Sequence, residues 1–197
     1  MKNQLLIFFS AFLVNNIILI RFIGLCPFFG VSTAVETALG MGLAVIFVMM
    51  LASWASYLVY FAVLMPLGLV FLRTAAFILI IAGLVQFVEL FLKKTYRGLY
   101  NALGIYLPLI TTNCAILAVA FLNIDYKYSF LNSTVFALGT GLGFTLVIIV
   151  FAALRERLEL APISRSMKGY PIAFIAASLA SLAFMGFLGF FGLALGG

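Results

Sequence analysis

The chain of 197 residues has two cysteines and no histidine. Cys26 lies between Gly24 and Pro27, in the run Arg21-Phe22-Ile23-Gly24-Leu25-Cys26-Pro27-Phe28-Phe29-Gly30. Cys114 follows Pro108-Leu109-Ile110-Thr111-Thr112-Asn113. Three kinds of chemistry are open to such a pair. Each thiol can be a small inert hydrophobe in a packed core. The two can form a disulfide if the fold brings their backbones within range. They can also ligate a metal, and this reading makes a demand. Two thiolates, without histidine and with few acids, cannot complete a four-ligand zinc or iron–sulfur site, so two ligands must come from another chain. The lack of histidine also excludes axial-His haem, Rieske-type ligation and Ser-His-Asp catalysis.

The elements that must carry these residues follow from composition. Apolar residues make up 66% of the chain and charged residues 8%, against about 45–50% and 25% in a soluble domain. Such a chain cannot cover a soluble surface. A membrane-crossing helix takes about 20 residues, so the whole chain reads as one all-α transmembrane domain of six spans, residues 1–197. The expected spans are Leu5–Ile23, Leu39–Leu64, Thr74–Leu92, Leu99–Leu122, Phe130–Leu154 and Pro171–Leu195. The first could be mistaken for a signal peptide, but only Lys2 precedes it and no small-residue cleavage site follows, so it reads as retained. The fourth is interrupted at Pro108 and carries Thr111, Thr112 and Asn113.

Six spans put both termini on one side with Lys2, Arg73 and Lys127, whereas Lys93, Lys94, Arg97, Arg155, Arg157, Arg165 and Lys168 fall on the other. The richer side is cytoplasmic by the positive-inside rule, which places both termini outside. The net charge of +6 is accounted for by orientation and lipid headgroups, with no nucleic-acid partner.

Ala38-Leu39-Gly40-Met41-Gly42-Leu43 returns as Ala137-Leu138-Gly139-Thr140-Gly141-Leu142, each copy opening the span that follows a cysteine-bearing one. The chain therefore divides into halves of about 1–95 and 96–197. Three spans per half invert the second relative to the first, and shared sites of such repeats lie near the midplane on discontinuous helices. The same glycines also suit close helix packing, as in Gly139-x-x-x-Gly143. Unwound backbone at membrane depth must be buried in protein or line a cavity, which makes breaks at the two cysteines candidates for one site.

Several motifs resemble a known family, RnfA, which comprises the A subunits of Rnf complexes. They are Leu13-Val14-Asn15-Asn16, Gly24-Leu25-Cys26-Pro27-Phe28, Gly30-Val31-Ser32, Glu36-Thr37, Leu72-Arg73-Thr74-Ala75-Ala76-Phe77-Ile78-Leu79, Gln86-Phe87, Leu107-Pro108-Leu109-Ile110-Thr111-Thr112-Asn113-Cys114-Ala115 and Phe151-Ala152-Ala153-Leu154-Arg155-Glu156-Arg157-Leu158. The E subunit of the sodium-pumping NADH:quinone reductase is a close relative. The resemblance implies a membrane subunit of an ion-translocating ferredoxin:NAD⁺ oxidoreductase in a prokaryotic cytoplasmic (inner) membrane, without catalytic activity of its own. It further implies a homologous partner of opposite orientation, the Rnf E subunit, alongside the B, C, D and G subunits. Each of the pair would give two cysteines to one intramembrane [2Fe–2S] cluster, here Cys26 and Cys114. Gly24, Pro27, Thr112 and Asn113 are the expected supporting groups, because freed backbone N–H groups and positive helix ends offset the charge of a buried anionic centre.

Arg21 is expected either to counter that charge or contact a partner, or else to snorkel to the interface. Glu36 and Glu89 are weaker candidates for an ion path, with Glu89 also spaced to pair with Lys93. Arg155 and Glu159 have the same spacing and are expected to form a solvated pair. The competing functional reading is a small secondary transporter or ion-conducting subunit that binds its solute at the midplane without metal. A purely structural scaffold is the third.

Overall fold

The computed structural model describes residues 2–32, 34–66, 68, 70–95, 113–162 and 167–190. Among them all regular structure is helical, in the order α1 (Lys2–Phe9), α2 (Leu25–Val31), α3 (Val35–Val59), α4 (Arg73–Thr95), α5 (Cys114–Asp125), α6 (Phe130–Leu160) and α7 (Tyr170–Phe190). Helix α1 continues as a π-helical turn over Ser10–Val14, and α3 as another over Tyr60–Leu64. Among the described residues three helical stretches are long and apolar enough to cross a membrane: Val35–Leu64, Arg73–Leu90 and Phe130–Leu160. Gln4–Val14, Cys114–Asp125 and Tyr170–Gly186 are shorter apolar helices.

Helices α3 and α6 form the central antiparallel pair, and small residues set their approach. A Cβ on Gly42 would lie 2.3 Å from Thr145 Cγ2, and one on Gly141 would lie 3.0 Å from Ile46 Cγ1. These two contacts are reciprocal: residues 42 and 46 of one hexamer helix meet 145 and 141, their counterparts in the second half. The second glycine of each repeated hexamer thus packs against the residue one turn beyond the other hexamer. On another face of α6, Gly139 and Gly143 receive α1 and its π-helical turn, with Phe8 O and Phe12 O where glycine Cβ atoms would stand. Helix–helix association in an apolar solvent depends on such close backbone packing. Buried Phe28, Met41, Met49, Phe77, Ile116, Phe144 and Ile148 fill the core.

The first apolar run is not one helix. Its π-helical turn closes with Asn15 N–H on Ser10 O, and the chain then runs as isolated turns, with Ile20 N–H on Asn16 O and Phe22 N–H on Ile18 O, until α2. Side chains satisfy the freed backbone, as burial requires. Asn16, 1% exposed, accepts from Ile18 N–H at 3.1 Å through Oδ1 and donates to Gly143 O at 3.0 Å through Nδ2. Ser181 Oγ on α7 donates to Leu19 O.

Other boundaries move for local reasons. Helix α3 starts at Val35, ahead of the expected Leu39, because Glu156 Oε1 accepts from Val35 N–H and Glu36 sits favourably in the first turn. Helix α6 runs past Leu154 to Leu160, since Arg155-Glu156-Arg157 ends an apolar stretch without breaking a helix. Arg155 does not serve a solvated pair with Glu159. Its Nη1 donates to Phe29 O and Ser32 Oγ at 2.9 and 3.0 Å, fastening the end of α2 to α6. The first part of the fourth expected span and residues 191–195 of the sixth lie outside the described residues.

Candidate functional site

Cys26 is the second residue of α2 and Cys114 the first of α5. Gly24 precedes α2 with φ +89° and ψ 24°, a left-handed conformation that costs an L side chain energy but costs glycine little. The turn is also crowded: a Cβ on Gly24 would lie 3.1 Å from Ala115 Cβ and 3.2 Å from Phe144 Cε2. Pro27 is buried at the third position of α2. In the first turn of a helix its missing N–H removes no helical bond, so Gly24 and the preceding asparagines, rather than Pro27, interrupt the chain.

Before α5, Asn113 is extended and caps the helix, its side-chain oxygen accepting from Ala115 N–H at 3.0 Å. Asn113 is 3% exposed, and its Nδ2 has no hydrogen-bond partner among the described residues. Asn16 and Asn113 therefore do the same local work, each accepting from the N–H two residues on. Asn16 was not among the expected site residues. The signal for it was a pair of amides inside an otherwise apolar run. Thr112, expected as a supporting group, lies outside the described residues.

The two segments meet at the sulfur. Gly24 N–H donates to Cys114 Sγ at 3.1 Å, across 90 residues of sequence. Both cysteines are free and exposed on the surface of the chain, so neither is a buried core thiol and they do not form a disulfide. Two exposed thiols and a backbone donor suit half of a four-thiolate iron–sulfur set. Thiolate ligands and N–H donors to sulfur are what such a centre requires. Among the described residues no group of three His, Cys, Asp or Glu could hold a metal unaided. The donor set fits a shared site, with the orphaned Asn113 amide as a further donor beside Cys114.

Arg21 does not turn to the sulfur. Its Nη2 donates to Tyr126 Oη at 2.6 Å, just beyond α5, and its side chain is exposed. Glu36 is exposed in the first turn of α3, and Glu89 is half-buried on α4. Tyr126 was not expected to take part. Arg73 pairs with Asp125 at 2.8 Å and lies over the Phe121 ring, tying α4 to the end of α5.

Apolar helices long enough to span a bilayer, packed on small residues and exposing two thiols, define a helical membrane protein. The family described as "Rnf-Nqr subunit, membrane protein" matches residues 4–191, and the chain belongs to it. The chain is 57% identical over 179 residues to the A subunit of an ion-translocating oxidoreductase complex from Syntrophotalea carbinolica, covering 91% of this chain and 93% of that protein. It is 56% identical over 173 residues to the A subunit of a Na⁺-translocating ferredoxin:NAD⁺ oxidoreductase complex from Acetobacterium woodii, covering 88% and 90%. A relative from Yersinia enterocolitica, also named as the A subunit of an ion-translocating oxidoreductase complex, is 54% identical over 91% of this chain and 93% of its own length.

Proposed function

We propose that this chain is the A subunit of an Rnf-type ion-translocating ferredoxin:NAD⁺ oxidoreductase in a prokaryotic cytoplasmic membrane. In this reading Cys26 and Cys114 supply two of the four thiolates for a [2Fe–2S] cluster, and the homologous E subunit supplies the others. The B, C, D and G subunits complete the assembly, and electron transfer is coupled to transport of Na⁺ or H⁺. The observation that carries the reading is the hydrogen bond from Gly24 N–H to Cys114 Sγ, which joins the two cysteine motifs while both thiols face outward. Outward-facing thiols are what a second ligand-bearing subunit needs. When bound, such a cluster supplies a one-electron relay within a hydrocarbon core about 30 Å thick.

The residues of the chain have separate tasks. Cys26 and Cys114 hold metal, Gly24 directs an N–H at sulfur, and Asn113 fixes the start of α5 and keeps an amide N–H with no partner among the described residues. Arg155 holds the far end of α2. The reciprocal packing of the two hexamer helices supports six spans in two inverted three-helix repeats, with discontinuous helices at the cysteines. Iron and sulfide content and the EPR spectrum of the purified complex test the proposal. Cys26→Ser and Cys114→Ser should each remove the signal of this centre while the subunits stay assembled. An assembled complex of normal spectrum and activity with both cysteines replaced would overturn it and favour a metal-free transporter. Loss of assembly alone would favour a scaffold.

A further inference from the structure

A cavity of about 230 Å³ lies between the first π-helical turn, the segment leading to α2, the end of α5 and the first turns of α6. Its polar wall consists of Ser10, Asn15, Arg21, Tyr126, Tyr128 and Thr140. The wall is rich in hydrogen-bond donors, with Asn15 Oδ1 an acceptor beside them. Arg21 spends one N–H on Tyr126 Oη, leaving the other donors of its guanidinium fork and the phenolic hydrogen of Tyr126. Burial, with Tyr126 close by, pushes the Tyr128 pKa above its ordinary value, so Tyr128 also keeps its hydrogen. Asn15 Nδ2 donates to Ser10 Oγ, whose own hydrogen has no acceptor among the described residues, whereas Thr140 turns its hydrogen to Phe136 O.

Among the described residues no carboxylate lines the cavity, and Asp125, next to Tyr126, is already paired with Arg73. A guanidinium and several O–H donors without an acid call for an anion, and the planar fork of arginine matches the oxygens of phosphate. The surroundings point to its source. Two of the lining residues, Tyr126 and Tyr128, stand in the turn between α5 and α6, with Lys127 between them in sequence. Tyrosines mark the level of the lipid headgroups. The rest of the wall, including Ile7, Ile17, Leu122 and Phe136, is apolar and suits the glycerol and first methylenes of a lipid.

We propose that this cavity binds the phosphate of an anionic phospholipid, with Arg21 as counter-ion and the Tyr126 and Tyr128 hydroxyls as orienting donors. The site uses none of the residues assigned to the thiols and stands whether or not they bind iron. Native mass spectrometry of the full chain in detergent, with a phosphatidylglycerol, a phosphatidylcholine or inorganic phosphate added, reads the outcome. Phosphatidylglycerol should be retained about tenfold better than phosphatidylcholine, because both carry the phosphate but the choline cation neutralises it and is repelled by the Arg21 guanidinium. Arg21→Gln should abolish this preference and Tyr126→Phe with Tyr128→Phe should weaken it, the double variant testing the site with the guanidinium intact. Competition between inorganic phosphate and phosphatidylglycerol supports the site. Phosphate binding without retention of phosphatidylglycerol overturns the lipid assignment. Equal retention of the two lipids, or a preference unchanged in both variants, overturns the proposal altogether.

Discussion

The N–H of Gly24 reaches Cys114 Sγ because the backbone turns through φ +89° there and no side chain stands between it and Ala115. Gly24→Ala adds left-handed strain of about 1–2 kcal/mol and sets a methyl group against Ala115 and Phe144. The variant should melt at a lower temperature than the parent in detergent. If it assembles, the EPR signal of the thiol site should also shift, because hydrogen bonds to sulfur tune such centres. A variant that melts and reads like the parent would show that the turn is not needed. Both cysteines were legible as candidate ligands in the sequence, since their scarcity and their breaker-rich surroundings set them apart. Their contact through Gly24 was not, because nothing local to residue 24 specifies an acceptor 90 residues away. Nor did charge alone reveal the partner of Arg21: Tyr126 is a neutral residue on a turn that only the folded bundle brings near.

At the scale of elements, small residues and amides do what bulk hydrophobicity cannot. Gly143→Ala would place a Cβ 2.6 Å from Phe12 O, a backbone atom that cannot rotate away, and overpacking of this kind costs about 1–3 kcal/mol. Gly83→Ala on α4 meets nothing within 4 Å and should be neutral or stabilising by up to about 1 kcal/mol. Thermal unfolding should therefore come earlier in the Gly143 variant and no earlier in the Gly83 variant, and equal losses would refute the packing argument. Asn16→Leu removes the acceptor of Ile18 N–H and the donor to Gly143 O. A buried backbone group left without its partner costs about 1–3 kcal/mol, so this variant should also melt early, despite gaining an apolar side chain inside a membrane protein. Hydropathy located the long helices well because α3, α4 and α6 each hold a long apolar stretch. It read Leu5–Ile23 as one span because Asn15 and Asn16 hardly lower the mean of so apolar a run, while their hydrogen bonds decide where the helix stops.

For the whole molecule, charge is sorted by end. Arg73 pairs with Asp125 and Arg21 reaches Tyr126, so the start of α4 and the end of α5 lie together. Helix α4 leaves that end and finishes with Lys93 and Lys94 in its last turn. Helix α6 also leaves it, reaching Arg155 and Glu156 where they hold Ser32 and Val35. Under the positive-inside rule the basic excess at the second end predicts that this end is cytoplasmic and that Lys127 faces outward. This orientation is testable in intact cells with a membrane-impermeant maleimide, using a background in which Cys26 and Cys114 are serine. Lys127→Cys should label without permeabilisation, whereas Lys94→Cys should label only after the membrane is opened. The reverse pattern would invert the molecule and require some feature other than loop charge to set its insertion. Labelling of both from one side would do more damage, because α4 would then fail to cross and six spans could not be kept. The contrast between Lys127 and Lys94 thus probes orientation and span number together, independently of any metal at the thiols.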